Sequence, residues 1–437
     1  MRNAIFYLTY NGLYNFTNGI GTQTQLLITG LESLREPLRR RYGPIDVHVV
    51  CPSPDAHTWG YNHAFFRQQQ ERLASSGHVH LIPYKREPNQ DLWEISSWRT
   101  LCQNVAPLLR SQTAAYERSL IICVDQPWLH TPYALGIGQT LQHQVNMLLV
   151  FYSTAFIRGG ETLNPAELIW EQEAIEASKP GSRVTLADIC PSSTMHLRTH
   201  FRLSTAQFAP YTPSILLDDP IFALRDEAVV RRVLQAYSIP LEADLVLAFG
   251  RAAPIKGFEK LIPALAPLRD RIHFVLISVP YINDTSQQRV YDELLQQHAI
   301  RATHIKEFTR DLARALCQWA RTKIVAIPSR HETFSNIPLE VAMWAREKGP
   351  VIVASSAGGF VDQIEPAVTG FLVDVSSLEQ VTETLRTVLD LSTEAQAAIR
   401  HLAYQRVLQR YDFKNNLPAT LDWFWSKDPK KPDQNAR

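Results

Sequence analysis

Short apolar runs separated by helix-length intervals recur along the chain, and the pattern occurs twice. In the first half the runs are Ala4–Thr9, Asp46–Cys51, Val79–Ile82, Leu120–Val124, Met147–Tyr152 and Ala187–Cys190. In the second they are Leu245–Phe249, His273–Ile277, Lys323–Ile327, Val351–Ala354 and Gly370–Val373. Runs this short, rich in Val, Ile and aromatic residues, suit strands buried on both faces of a parallel sheet, and the intervals suit crossover helices. The pattern predicts an α/β protein of two blocks of similar construction. A length of 437 residues accommodates two such domains with sizeable cores.

Between the blocks, Pro210, Pro213, Pro220 and Pro240 favour an extended linker that leads into a helix near Arg225–Tyr237. The expected division is an N-terminal domain at 1–205, a linker at 206–243 and a C-terminal domain at 244–410. A final helix at 411–426 follows, then a polar, proline-broken and disordered tail at 427–437. The helix carries Trp423, Phe424 and Trp425, an aromatic cluster that needs a surface on which to bury itself.

Composition narrows the function classes. With 44 Lys+Arg against 43 Asp+Glu, the chain lacks the net positive charge that would favour non-specific nucleic-acid binding. Five scattered cysteines, Cys51, Cys102, Cys123, Cys190 and Cys317, include no Cys-x-x-Cys pair, so they read as core thiols. The start MRNAIFYLTYNGLY lacks a signal-peptide h-region, and no run of ~18 apolar residues marks a membrane span. The default expectation is a cytoplasmic protein. Nothing in the sequence sets its oligomeric state.

The most informative stretch is IVAIPSRHETFSNIPLE, Ile324–Glu340. A strand is expected to end at Ile327 and a helix to begin near Ile337, with Ser335 and Asn336 as capping candidates and Pro338 tolerated in the first turn. Glu332 falls in the loop at the strand's carboxyl end and Glu340 in the first helical turn. Both could therefore face the crevice where open α/β sheets bind ligands. The amides around Asn336, Ile337 and Leu339 suit a phosphate, whereas the carboxylates suit sugar or ribose hydroxyls. On spacing alone, a helix-capping acid and a solvated acid are the better fit.

A second stretch, LVLAFGRAAPIKG, places Arg251 and Lys256 after a strand. Two fixed cations there suit a diphosphate, Arg offering planar donors and Lys a point charge. Near the N-terminus, Asn18-Gly19-Ile20-Gly21-Thr22-Gln23-Thr24 reads as a glycine turn feeding a helix, where backbone can approach a phosphate. As a dinucleotide fingerprint it fails, because Thr24 holds the third glycine position. VDQPWLHTP (Val124–Pro132) follows another strand and offers Asp125 and His130. The run Arg39-Arg40-Arg41, after an interruption at Pro37, reads as cations completing a helix C-terminus.

Taken together, Arg251 and Lys256, the Glu332 and Glu340 pair in PSRHETFSNIPLEVA, and SSAGGFVDQI…TGFLV (Ser355–Val373) resemble the nucleotide-sugar domain of GT-B glycosyltransferases. They most resemble the retaining enzymes of glycosyltransferase family four. The resemblance implies two Rossmann-like domains facing across a cleft, with the last helix returning to the N-domain. It implies that Arg251 and Lys256 neutralise a donor diphosphate, that Glu332 holds hydroxyls of the transferred sugar, and that Glu340 binds the ribose. Amides near Asn336–Pro338 would support sugar or phosphates, although Pro338 has no amide to give, and Gly358 and Gly359 match the family's glycine pair.

The loop at Gly19 and Gly21 resembles the family's Gly-Gly-x-Gly loop, with Asn18 in place of the first glycine. Asp125 and His130 would sit on the acceptor side. Where many relatives carry a histidine near the reacting sugar, LVFYSTAF (Leu149–Phe156) has Tyr152, with Ser153 and Thr154 beside it. The implied reaction moves a sugar from a nucleoside diphosphate sugar to a hydroxyl of a small soluble acceptor of natural-product, aminocyclitol or sugar-phosphate type, with retention. No Asp-x-Asp motif is present, so the expectation is a metal-independent reaction with no cofactor beyond its donor. Some relatives dock on anionic lipid through a basic N-domain helix, which leaves a peripheral membrane contact open for the arginine run. The alternatives are a GT-B-like sugar-nucleotide epimerase, a phosphorylase, a non-catalytic nucleotide-sugar-binding protein and an NAD-dependent dehydrogenase.

Overall fold

The computed structural model describes residues 2–14, 19–54, 61–74, 77–84, 92–136, 144–159, 163–179, 181–203, 208–280, 284–307 and 309–425. Asn18 and the tail 427–437 lie outside them. The chain divides into two compact units, Met1–Leu216 with Phe413–Arg437, and Leu217–Asp412.

The first unit holds β1 (Asn3–Leu8), β2 (Ile45–Pro52), β3 (Gly77–Ile82), β4 (Arg118–Val124), β5 (Val145–Val150), β6 (Val184–Asp188) and β7 (Phe208–Pro210). They pair in parallel in the order β3-β2-β1-β4-β5-β6-β7. Every residue of β1 is buried, as expected for a central strand covered by helices on both faces. Trp98, Trp128 and Trp170 fill one side of the sheet with Leu101, Val105 and Leu109.

The second unit holds β8 (Asp244–Arg251), β9 (Ile272–Val279), β10 (Ala302–Ile305), β11 (Thr322–Ile327), β12 (Val351–Ser355) and β13 (Phe371–Val373). All pairs are parallel, in the order β10-β9-β8-β11-β12-β13. In each unit the chain winds outward from a central strand in one direction, then restarts on that strand's other side. The switch points lie between β1 and β4, and between β8 and β11.

Two strands carried no apolar run. β10 is an edge strand of half-buried residues with the sequence ATHI, and β7 is a three-residue edge strand ending in Pro210, a position that tolerates a missing N–H. The proline-bearing segment is therefore not an extended linker throughout. Its first part completes the first sheet. Its later part packs on the second unit, where the indole N–H of Trp344 donates to the Ile221 carbonyl at 2.9 Å and Gln318 donates to that of Ala223 at 3.2 Å. The helix expected near 225–237 spans Glu227–Ala236.

The final helix, Phe413–Trp425, belongs to the first unit. Phe413 lies where a side chain on Gly30 would stand; a Cβ at that glycine would come within 2.2 Å of the ring. Tyr42 donates to Asp422 at 2.7 Å, and Arg118 donates to the Trp425 carbonyl at 2.6 Å. Arg41, at the end of a helix that runs Gly19–Tyr42 straight through Pro37, pairs with Asp422. All five cysteines are buried and free. Among the described residues no helix is long and apolar enough to cross a membrane.

Candidate functional site

In the second unit, the loops leaving β8 and β11 meet at the switch point. Lys256 and Glu332 form an ion pair at 2.7 Å, with side chains only 18% and 15% exposed. The loops are tied by backbone as well, since the Arg330 N–H donates to the Ile255 carbonyl at 2.8 Å. Gly257 takes φ +67°, and a Cβ there would stand 2.0 Å from the Pro328 carbonyl oxygen, so only glycine lets the two loops approach this closely. Arg251 ends β8, five residues before Lys256.

The loop after β12 closes on the same place. Gly358 has φ +48°, and a Cβ on it would lie 1.6 Å from the Glu332 carbonyl oxygen; one on Gly359 would lie 2.2 Å from that of Thr333. The Gly359 N–H donates to the Glu332 carbonyl at 3.1 Å. The glycine pair is thus more than a tight turn, because it is the surface against which the Glu332 backbone is held. Gln363 completes the clamp, donating to the Ser335 carbonyl at 2.7 Å, and Ser355 donates to that of Ser329 at 2.6 Å.

The helix Ile337–Trp344 begins here, with Asn336 as N-cap and Pro338 in the first turn. Ser335 caps through its hydroxyl, which accepts from the Ile337 N–H at 3.4 Å. Glu340 is buried, and its Oε1 accepts from Arg310 at 2.6 Å. Burial pushes this carboxyl above its ordinary range, and the Arg310 guanidinium opposes the shift. Arg310 was not legible as a site residue; it opens the helix Arg310–Cys317, and only the fold brings it to Glu340.

In the first unit the corresponding switch point carries Asp125, directly after β4. It is 2% exposed and has φ +63° with ψ −179°, a region that only glycine occupies without cost. Its Oδ2 accepts from the Tyr10 hydroxyl at 3.4 Å, a contact that spans β1 and β4. Its Oδ1 is buried with no hydrogen-bond partner among the described residues. Burial pushes the carboxyl up to about 7, partly offset by the Arg158 guanidinium.

Next to Asp125 lies a charged network that the sequence did not suggest. Glu171 is fully buried, accepting from the Ala155 N–H at 2.8 Å, from Gln126 at 2.9 Å and from Arg158 at 3.3 Å. Burial raises it to about 6. Arg158 also pairs with Glu167 at 2.6 Å and lies over the Trp93 ring. The only signal in the sequence was the four-residue spacing of Glu167 and Glu171, which places both on one face of the helix Pro165–Glu176.

The other acceptor-side residues divide differently. His130 serves packing: its ring stacks on Trp170 with centroids 3.4 Å apart, and its Nε2 lies 2.7 Å from the Trp170 carbonyl oxygen. The hydroxyl of Tyr152 is buried beside those of Tyr7 and Tyr211, and burial raises all three well above the ordinary tyrosine value. Thr154 lies 2.9 Å from His196 Nε2, which supplies an imidazole close to the place where LVFYSTAF lacks one. Gly19 and Gly21 lie inside the first turn of their helix, not in a turn before it. The close backbone approach occurs instead at Gly12, with φ +101°, where a Cβ would come within 2.7 Å of the Gly21 carbonyl oxygen.

Two parallel doubly wound units with these switch-point loops define the GT-B glycosyltransferase fold. Residues 231–406, within the second unit, match the family described as "Glycosyl transferases group 1", so this stretch is similar to that family. Among curated relatives, a D-inositol 3-phosphate glycosyltransferase of Kribbella flavida is 27% identical over 54% of this chain and 55% of its own length. One of the same name from Frankia alni is 24% identical over 79% of this chain and 86% of its own. The chain spans about half the length of several curated relatives that it matches. Among solved structures, sucrose-phosphate synthase from Thermosynechococcus elongatus superposes with TM-score 0.72 at 14% identity, covering 96% of this chain and 97% of that one. Anabaena HepE in complex with UDP and glucose does so with TM-score 0.66 at 17% identity, covering 96% and 97%.

Proposed function

We propose that the protein is a retaining glycosyltransferase, acting in the cytoplasm, that moves a sugar from a nucleoside diphosphate sugar to a hydroxyl of a small acceptor. One observation carries this reading: Lys256 and Glu332 meet at the β8/β11 switch point, where an open parallel sheet binds ligands. A cation beside a carboxylate matches a donor that presents phosphate next to sugar hydroxyls. Arg251, Lys256 and the amides at Asn336, Ile337 and Leu339 take the diphosphate, Glu332 takes the sugar and Glu340 takes the ribose. The family match and the UDP and glucose held by HepE support the same assignment.

In the transfer, the bond from the anomeric carbon to the diphosphate oxygen breaks and a bond to the acceptor oxygen forms on the same face. The acceptor proton passes to a donor phosphate oxygen. Catalysis then rests on positioning and on stabilising the leaving diphosphate, and needs no second substrate-activating group. Asp125, with one oxygen that has no partner among the described residues, is suited to accept a hydrogen bond from a hydroxyl of the acceptor other than the one that reacts.

The test is incubation of the chain with a panel of nucleotide sugars, with and without hydroxyl acceptors, and mass spectrometry for nucleoside diphosphate release. A cyclitol phosphate is the first acceptor to try, given the relatives' names. Release that depends on acceptor, with an α-configured product from an α-configured donor, is expected. If no donor is cleaved and none raises the thermal midpoint, the reading fails.

A further inference from the structure

A cluster of imidazoles on β2 and β3 takes no part in the site above. Asp46 and His48 are two residues apart on β2 and so share a face of the sheet. His78 and His80 share a face of β3, and the register pairs His48 with His78 and Val50 with His80. One ligand atom from each of Asp46, His48 and His78 lies within 4.8 Å of the other two.

The hydrogen bonds around His48 distinguish its two nitrogens. Nε2 lies 2.8 Å from the Tyr116 hydroxyl, which donates to Asp46 Oδ2 at 2.9 Å. A chain of two hydrogen bonds thus links His48 Nε2 to Asp46 through Tyr116. Nδ1 faces the other way, 2.9 Å from His80 Nε2, and the two rings are 13° from coplanar with centroids 5.2 Å apart, so they meet edge to edge. A histidine that ligates a metal through one nitrogen usually offers its other N–H to an acceptor that fixes the ring. His80 stands where that acceptor belongs.

We propose that Asp46, His48 Nε2 and His78 form a binding site for one divalent transition ion of the Zn2+ class, oriented through His80. Two imidazoles and a carboxylate are ligands that such ions prefer. Bonds of about 2.0–2.1 Å need ligand atoms closer together than 4.8 Å, and the exposed His78 side chain supplies that closure by rotation. Arg2, paired with Asp46 at 2.5 Å, has a side chain 61% exposed, so the ion displaces it into water. The fourth position falls to Tyr116 or a water molecule. Because β3 is the edge of its sheet, the ion would rivet the edge strand to its neighbour. Asp46 and His78 stand near the amino ends of their strands, whereas Tyr10 and Asp125 follow the carboxyl ends of β1 and β4, so the ion serves structure and not transfer.

The test uses the untagged full chain, stripped with chelator and equilibrated with Zn2+ at neutral pH in the presence of excess Mg2+. One equivalent bound and a raised thermal midpoint are expected, with Co2+ giving visible d–d bands of a four-coordinate site. Asp46→Asn, near-isosteric at a partly buried side chain, and His78→Ala, at an exposed one, should each abolish uptake while keeping the native circular dichroism spectrum. His80→Ala should weaken binding by about 10–100-fold, the usual effect of losing such an orienting partner. The proposal is overturned if the wild-type chain takes up no stoichiometric Zn2+, or if uptake survives either Asp46→Asn or His78→Ala.

Discussion

The two units share one winding scheme but hold charge at their switch points in opposite ways. In the second, each carboxylate of the site has a cation: Glu332 has Lys256 at 2.7 Å and Glu340 has Arg310 at 2.6 Å. Its backbone is tight, yet the strained positions are occupied by glycine. In the first, Asp125 is buried in a glycine-type conformation with one bare oxygen and a carboxyl raised to about 7. One region fixes the charge of its carboxylates in ion pairs. The other keeps a group balanced between two protonation states, a condition that clusters at sites of chemistry.

The largest expected effect tests the paired side. Lys256→Ala should lower kcat/KM by about 10²–10³-fold, the size seen when one charge-stabilising donor is removed, while the thermal midpoint moves little. Equal rates in mutant and wild type would remove the diphosphate from this switch point and with it the contrast between the units.

Asp125→Asn tests the other side. The folded pKa stands above the unfolded value of about 3.9, so the native state binds more protons between pH 4 and 7. Stability therefore falls as pH rises through that window. With the carboxyl at about 7, the variant should gain up to ~4 kcal/mol near pH 8, since each pKa unit corresponds to about 1.36 kcal/mol, and should lose transfer activity at the same time. Wild-type transfer should rise with pH through about 7 as the carboxylate forms. Denaturation curves at pH 5 and 8 that show no such gain would mean that Asp125 is an ordinary buried acid.

A smaller effect is expected from Gly359→Ala. Its φ is ordinary at −63°, so the whole cost comes from pushing the Thr333 carbonyl away. A loss of about 1–3 kcal/mol is expected, as for overpacking, with weaker binding of nucleoside diphosphate by calorimetry. The smallest effect belongs to His130→Phe, which keeps the stack on Trp170 and loses one hydrogen bond worth about 0.5–1.5 kcal/mol. Transfer rates within about twofold of wild type would place His130 with the packing and leave the unusual electrostatics to Asp125 and its neighbours.

The sequence showed the winding well, because strands buried on both faces must be apolar throughout. It missed β7 and β10, where edge strands need no apolar run. It placed Lys256 and Glu332 in loops that follow strands and Glu340 in the first turn of the next helix, since the carboxyl end of a strand is visible in sequence. It could not show Arg310, Arg158 or Glu171, whose significance comes from partners 30, 33 and 13 residues away or reached from another element. The histidine cluster was hidden for the same reason: its members lie on two strands, 30 residues apart, and converge only through register.

The return of Phe413–Trp425 to the first unit also bears on synthesis. The second unit is an insertion in the connection between β7 and the last helix of the first. A ribosome therefore releases a complete second unit while the first still lacks the helix that covers Gly30, Tyr42 and Arg118. The domain begun first is finished last. A chain stopped at Asp412 should keep a folded second unit and expose apolar surface on the first.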